Sequence, residues 1–263
     1  MNATLQAIRQ LGFQTLTAIQ RLGQFLFFSA QLLAAIIQPP WRGRRLVEET
    51  WLLGVLSLLV VSISGLAVGM VLGLQGYNTL VRFGAEGALG TVVGLSLIRE
   101  LGPVLTGLLV TGRAGSATAA GIASMVTTEQ LDGLRMMSIN PLQSVVAPKA
   151  LGMILMMPIL TAIFVLFGLA GGYFVGVELM GMDPGAFLSG LQDSIRFADD
   201  IGACYVKSLL FGTLAGLIAT FQGYTATPSA EGVSRATTST VVFTSVAILI
   251  SDYFVTALWG FEI

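Results

Sequence analysis

The chain has 263 residues, of which 54% are hydrophobic and only 10% charged, with a mean hydropathy of +0.84. A soluble globular domain carries about 25% charged residues, so the composition excludes that class. The net charge of −1 gives no case for nucleic acid, and with one cysteine, Cys204, and no histidine there is no internal disulfide, Ser-His-Asp chemistry or usual transition-metal site.

Residues 1–38 open the chain with Leu5, Ile8, Leu11, Leu16, Ile19, Leu22, Leu26 and Leu33 at near-helical spacing. Arg9, Gln10, Gln20, Arg21 and Gln24 fall between them. This pattern predicts an amphipathic helix lying in the membrane interface. A signal peptide is the competing reading, but no compact basic–apolar–A-x-A order is present. Pro39-Pro40 ends the helix, and Trp41 and Trp51 suit the headgroup level.

Five apolar runs follow, each long enough for the roughly 20 residues a bilayer crossing needs. They are Leu52–Leu74, Ala88–Gly112, Ala150–Val177, Ile201–Phe221 and Val241–Trp259. The fold class is therefore all-α: a single membrane domain over 1–263, with the interfacial helix in 1–40 and a five-span bundle in 41–263. Pro158 is expected to kink the third span near its start. Arg9, Arg21, Arg42, Arg44, Arg45, Arg113, Arg135, Lys149 and Arg235 lie on one side, against Arg82, Arg196 and Lys207 on the other. By the positive-inside rule the N-terminus is cytoplasmic and the C-terminus external.

Within these runs, glycine repeats as GxxxGxxxG at Gly65, Gly69 and Gly73, and again at Gly168, Gly172 and Gly176. Small residues at every fourth position let a second helix approach closely. Packing inside one subunit and a dimer face are both open readings.

The second run carries Arg99 and Glu100 side by side in an otherwise uncharged stretch. A charge at mid-membrane costs roughly 2.5–3.5 kcal/mol on insertion scales, so two adjacent charges imply a polar cavity or pathway. They read either as a functional pair or as a structural one, salt-bridged to each other or to a partner subunit. Lys207 and Asp252 are the charges in the fourth and fifth runs.

Between the second and third spans, Thr127 to Met137 predicts a short helix capped by Thr127 or Thr128. Glu129 falls in its first turn, and Leu131, Leu134 and Met137 on one face. Asn140-Pro141 stops it. It needs a surface to pack on, either the membrane and its own bundle or a partner protein. No G-x-x-x-x-G-K-[ST] occurs anywhere, so any ATP chemistry belongs to another chain.

Several segments together resemble the MlaE (YrbE) family of ABC-transporter permeases of bacterial phospholipid trafficking. They are Gly69–Tyr77, Ser96–Val104, Gly112–Ala117, Thr128-Glu129-Gln130 and Gly232–Thr238. The resemblance runs from about Trp41 to the end. It implies a non-enzymatic permease of the bacterial inner membrane, homodimeric, with two ATPase subunits that hold ATP and Mg. A periplasmic MCE-domain protein and a STAS-domain protein are the further partners it implies. It further implies that Leu72, Gln75, Tyr77, Leu80, Arg99 and Glu100 line a lipid cavity at the dimer interface. Thr128, Glu129, Gln130, Leu131 and Arg135 would form the coupling helix on the ATPase. No metal or cofactor is expected in this chain. The alternative is an autonomous ion-coupled transporter using Arg99, Glu100 and Asp252 as a charge relay. An intramembrane enzyme is a third reading, disfavoured by the absent histidine.

Overall fold

The computed structural model describes residues 2–37 and 43–260, and every regular element among them is helical. We number the helices α1 (Asn2–Ile37), α2 (Gly43–Leu80), α3 (Glu86–Thr127), α4 (Gln130–Met136), α5 (Leu142–Leu179), α6 (Pro184–Ser194), α7 (Phe197–Tyr224) and α8 (Ala230–Gly260). Pro39-Pro40, Trp41 and Arg42 lie outside the described residues, as do the side chains of Leu5, Ile8, Arg9, Gln10 and Leu11.

The five apolar runs are the cores of α2, α3, α5, α7 and α8, whose most apolar windows have hydropathies of 1.5–2.5. By length and composition, Thr15–Ile37 of α1 also qualifies as a crossing helix, at the lower hydropathy of 1.2. It touches the bundle along one narrow line. Phe28 and Leu32 are buried while Leu16, Ile19, Leu22, Leu26 and Phe27 are exposed.

The glycine repeats resolve into packing within the chain. A Cβ on Gly65 would lie 2.6 Å from the Phe164 carbonyl oxygen, one on Gly69 would overlap that of Gly168, and one on Gly73 would lie 3.0 Å from that of Gly172. The register advances together on both helices, so α2 and α5 run parallel with their backbones in contact. Lys149 bonded to Glu49 and Arg45 to the Ser144 carbonyl continue the same register at one end. Only glycine fits such an approach. The opposite face of α2, with Leu52, Leu56, Leu59 and Ile63, is exposed and apolar, as a lipid-facing or partner-facing surface must be. Pro158 sits inside α5, which continues unbroken through it.

Helix α3 differs most from expectation. It does not end near Gly112 but continues through Ser116–Thr127, packed on α7 and α8. The extension is built from glycine, alanine, serine and threonine, too weakly apolar to read as a span yet small enough to pack tightly. Two π-helical turns interrupt α3, at Leu97–Leu101 and Thr111–Gly115, one opens α7 at Phe197–Ile201, and two more open and close α5 at Leu142–Val146 and Phe174–Leu179. Such turns are rare and concentrate at functional sites. Here the turns of α3 and α7 carry Arg99 and Glu100, Arg113, and Asp199 and Asp200.

The structure therefore moves Arg113 from the expected loop into α3, and Lys207 from the outer end into the bundle interior. The excess of cations on the α4 side survives both moves.

Candidate functional site

The chemistry starts at a proline. Pro103 has no N–H to donate to the carbonyl of Arg99 four residues back, and in the π turn the Gly102 N–H bonds to Leu97 instead. The Arg99 carbonyl therefore has no donor at the i+4 position. Lys207 of α7 supplies one, its Nζ lying 2.8 Å away. The same ammonium donates to Glu100 Oε2 at 2.8 Å and to Thr256 Oγ1 of α8 at 2.7 Å. That uses its three protons. Asp252 Oδ1, at 3.0 Å, shares the charge as an ion pair without an aligned N–H. The Thr256 hydroxyl lies 3.3 Å from both Glu100 oxygens.

Beside this cluster, Arg99 Nε donates to Asp200 Oδ1, and Asp200 Oδ2 accepts the Arg196 backbone N–H at 2.7 Å. The Lys207 and Asp200 side chains are each 2% exposed, whereas those of Arg99 and Glu100 are 43% and 42% exposed. The network thus has a sealed side on α7 and an open side on α3. Arg99 and Glu100 do not pair with each other, because adjacent helical residues point in different directions. Each pairs with α7 of the same chain. With every group ionised, Arg99 and Lys207 face Glu100, Asp200 and Asp252, leaving one net negative charge. Buried charges this far into a helical bundle are tolerated only when paired and hydrogen-bonded.

The remaining cavity residues expected from the resemblance sit elsewhere. Tyr77 O–H reaches toward the Met180 carbonyl at 3.5 Å, and Tyr77, Leu72 and Leu80 pack on the core cluster that includes Leu89, Met182 and Phe187. Gln75 is exposed. No hydrogen bond or ion pair among the described residues joins these four to Arg99 or Glu100.

Sequence reasoning missed Asp200 and Thr256 and counted Lys207, near the start of the fourth span, with the cations of the outer side. One signal was available. Three spans each carried a charge, and charges inside a bundle need partners on other helices.

At the other end of the bundle, α4 forms with a different start from the one expected. The hydroxyls of Thr127 and Thr128 donate back to the carbonyls of Ala123 and Ser124, both at 2.9 Å, and so close α3 instead of capping α4. The turn between the helices is made by Glu129, whose φ of 57° is left-handed. That conformation costs a non-glycine residue about 1–2 kcal/mol. Leu131 is buried in a cluster with Phe28, Leu32, Ile122 and Leu217. Met137 lies past the last helical residue and is 63% exposed, so it does not share the buried face expected with Leu131 and Leu134. Met136 is 89% exposed.

Arg135 lies along the surface toward Tyr224, its side chain 53% exposed. Its Nη1 donates to Asp132 Oδ1 at 2.7 Å, its Nη2 donates to the Tyr224 hydroxyl, and its guanidinium carbon is 5.8 Å from the Tyr224 ring centre. Tyr224, ahead of Asp132, pushes the Arg135 pKa up. Phe28 packs on Phe221 and Tyr224 from α1. The exposed residues of α4 are Gln130, Asp132, Gly133, Arg135 and Met136.

An all-helical, multi-pass membrane protein with an ion-paired network inside its spans and a short helix at one end is the class these observations define. Comparison with known proteins gives the family. Residues 46–258 match the family described as Permease MlaE. The chain is 44% identical to the intermembrane phospholipid transport system permease protein MlaE of Haemophilus influenzae, over 95% of this chain and 96% of that one. It is 40% identical to a "Probable ABC transporter permease protein" of Rickettsia typhi, over 94% and 95%. A protein of Synechocystis with the same description is 38% identical, over 91% and 90%. The chain belongs to the MlaE permease family.

Proposed function

We infer that this chain is the membrane permease subunit of an ABC transporter that moves phospholipid between the inner membrane and the periplasmic or outer-membrane side, supporting outer-membrane lipid asymmetry. The single observation that carries the reading is the Arg99–Asp200 and Glu100–Lys207–Asp252 network. It holds polar, half-open chemistry inside a lipid-facing bundle whose full-length relative is named for phospholipid transport.

The partners follow from the same reading. The permease works as a homodimer with two ATPase subunits, a periplasmic MCE-domain protein and a STAS-domain protein. The N-terminus and α4 face the cytoplasm, as the cation excess favours, and α1 lies in the interface. α4 is the coupling helix, and its exposed Gln130, Asp132 and Met136 meet the ATPase. Arg99 and Glu100 contribute the polar part of the lipid cavity, completed by the second subunit. Leu72, Gln75, Tyr77 and Leu80 are the further wall residues of this reading.

The test is assembly and nucleotide use. The isolated chain should bind no ATP at micromolar concentration, and the chain co-expressed with its ATPase should co-purify and hydrolyse ATP. Micromolar ATP binding by the isolated chain contradicts the reading.

The second reading, an ion-coupled transporter, is favoured by one observation: Glu100 and Asp252 converge on one ammonium, as a relay requires. It predicts lipid-independent ion flux driven by a pH or sodium gradient without any ATPase, which separates the two.

A further inference from the structure

Within the five spans α2, α3, α5, α7 and α8, and away from their ends, Arg113 alone among the described charged side chains has no oppositely charged partner. Arg99, Glu100, Asp200, Lys207 and Asp252 are all ion-paired. Arg113 instead donates through Nη1 to the Leu53 carbonyl at 3.2 Å and to Ser57 Oγ at 3.0 Å, both on α2. Its Nε and Nη2 donate to no described residue. Leu53 and Ser57 lie two and six residues beyond the exposed Trp51, so the guanidinium sits about 3–9 Å deeper than that headgroup-level ring. It is half-buried, and it stands on one of the π turns of α3 and α7 that elsewhere carry the charged network.

A cation fixed at this depth favours an anion, and no described residue supplies one. One turn further along α3 lies an open depression of about 420 Å³, lined by Ser116, Ala117, Ala120, Thr237, Thr238 and Val241. Arg113 stands on the π turn immediately before these α3 residues, and Ser116 Oγ lies 3.1 Å from its carbonyl oxygen. The hydroxyl protons here are already used. Ser116 donates to Gly112 O, and Thr237 and Thr238 donate to Ser234 O. The free edge of Arg113 is therefore the anion donor, and the small side chains provide the volume.

We propose that Arg113 and this depression form a phosphate site, distinct from the charged network, that holds the headgroup of a phospholipid from the leaflet on the α4 side. A guanidinium edge suits a phosphate diester, to which it donates two parallel N–H bonds. The lipid as source rests on the permease reading above; the phosphate chemistry does not.

The experiment uses the full-length chain in mixed micelles, titrated with labelled phosphatidylglycerol. Inorganic phosphate is the soluble competitor, and native mass spectrometry counts lipids and subunits. Arg113→Gln should weaken binding about tenfold or more and remove one retained lipid per chain, while Arg113→Lys keeps binding within about threefold. Ala117→Phe, which fills the depression without touching the charge, should weaken binding as well. Resistance to millimolar phosphate supports the lipid as ligand, whereas displacement by phosphate overturns that part and leaves a free-anion site. Parent-like binding in Arg113→Gln overturns the site, as does a change in subunit count with lipid per chain unchanged, which would assign the anion to a second copy. Should Arg113→Gln fail to fold, unchanged binding in Ala117→Phe overturns it. Binding is read here without transport, so a parent chain that binds lipid in this experiment and moves none in a separate ATP-driven transfer assay counts against the permease reading alone.

Discussion

The Lys207 ammonium is bonded to the Arg99 backbone carbonyl at 2.8 Å, an acceptor with no i+4 donor because Pro103 follows four residues later. One proline thus ties α3 to α7 and fixes where Glu100 meets its cation. The consequence is a structural role for Lys207, while the proposed lipid-handling role falls to Glu100 on the open side.

Replacing Lys207 by methionine should strip the partner from Glu100, Asp252 and the Arg99 carbonyl together. Breaking a buried ion pair on one side costs about 3–5 kcal/mol. A large drop in thermal unfolding temperature is expected in detergent. The triple change Lys207→Met, Glu100→Gln, Asp252→Asn should recover much of it, because no unpaired charge remains. Equal stability of single and triple variants would show that the pairing contributes little.

Arg99→Ala and Glu100→Ala are expected to differ in stability while sharing a loss of lipid handling. Arg99→Ala leaves Asp200, 2% exposed, with only the Arg196 N–H. Glu100→Ala leaves Lys207 with Asp252, Thr256 and the Arg99 carbonyl. Arg99→Ala should therefore unfold at the lower temperature, and both variants should still assemble with the ATPase.

Gly69→Val should disrupt the bundle, since its Cβ would overlap the Gly168 carbonyl oxygen. Gly112→Ala meets nothing within 4 Å and should be neutral or gain roughly 0.5–1 kcal/mol from helix propensity. Unfolding midpoints of the two variants check this. Crosslinks between subunits should form from the exposed residues Leu66, Val71 and Leu74 on α2, and not from Gly65, Gly69 or Gly73, whose face α5 covers.

On α4, Met136→Glu should weaken association with the ATPase while leaving the unfolding free energy of the isolated chain within about 0.5 kcal/mol of the parent's, as expected for an exposed side chain. Glu129→Lys should also lower association. Arg135→Ala should act differently, loosening α4 from Tyr224 and lowering stability before docking. Co-purification and melting curves separate these effects.

Much of this was legible in the residues. Uninterrupted apolar runs located the five spans, and the side-by-side Arg99 and Glu100 located the polar site. The glycine repeats signalled close packing but carried no information on which helix would fill them. Three things were hidden. The extension of α3 to Thr127 is made of small residues whose hydropathy is unremarkable. The role of Lys207 depends on α7 lying beside the π turn of α3, a contact between residues 108 positions apart that no local pattern encodes. The start of α4 at a left-handed Glu129 broke a capping rule that Thr127 and Thr128 seemed to satisfy, because their hydroxyls bond backward along α3.

The most direct measurement is ATP-driven transfer of a fluorescent phospholipid by the complex in proteoliposomes, comparing the parent with Glu100→Gln. The account predicts that the parent moves lipid only when the ATPase and ATP are present. Glu100→Gln should assemble and hydrolyse ATP yet transfer lipid at a tenth of the parent rate or less, a loss on the order of 1.4 kcal/mol. Parent-like transfer by Glu100→Gln, or lipid movement by the parent driven by an ion gradient without ATP, would contradict it.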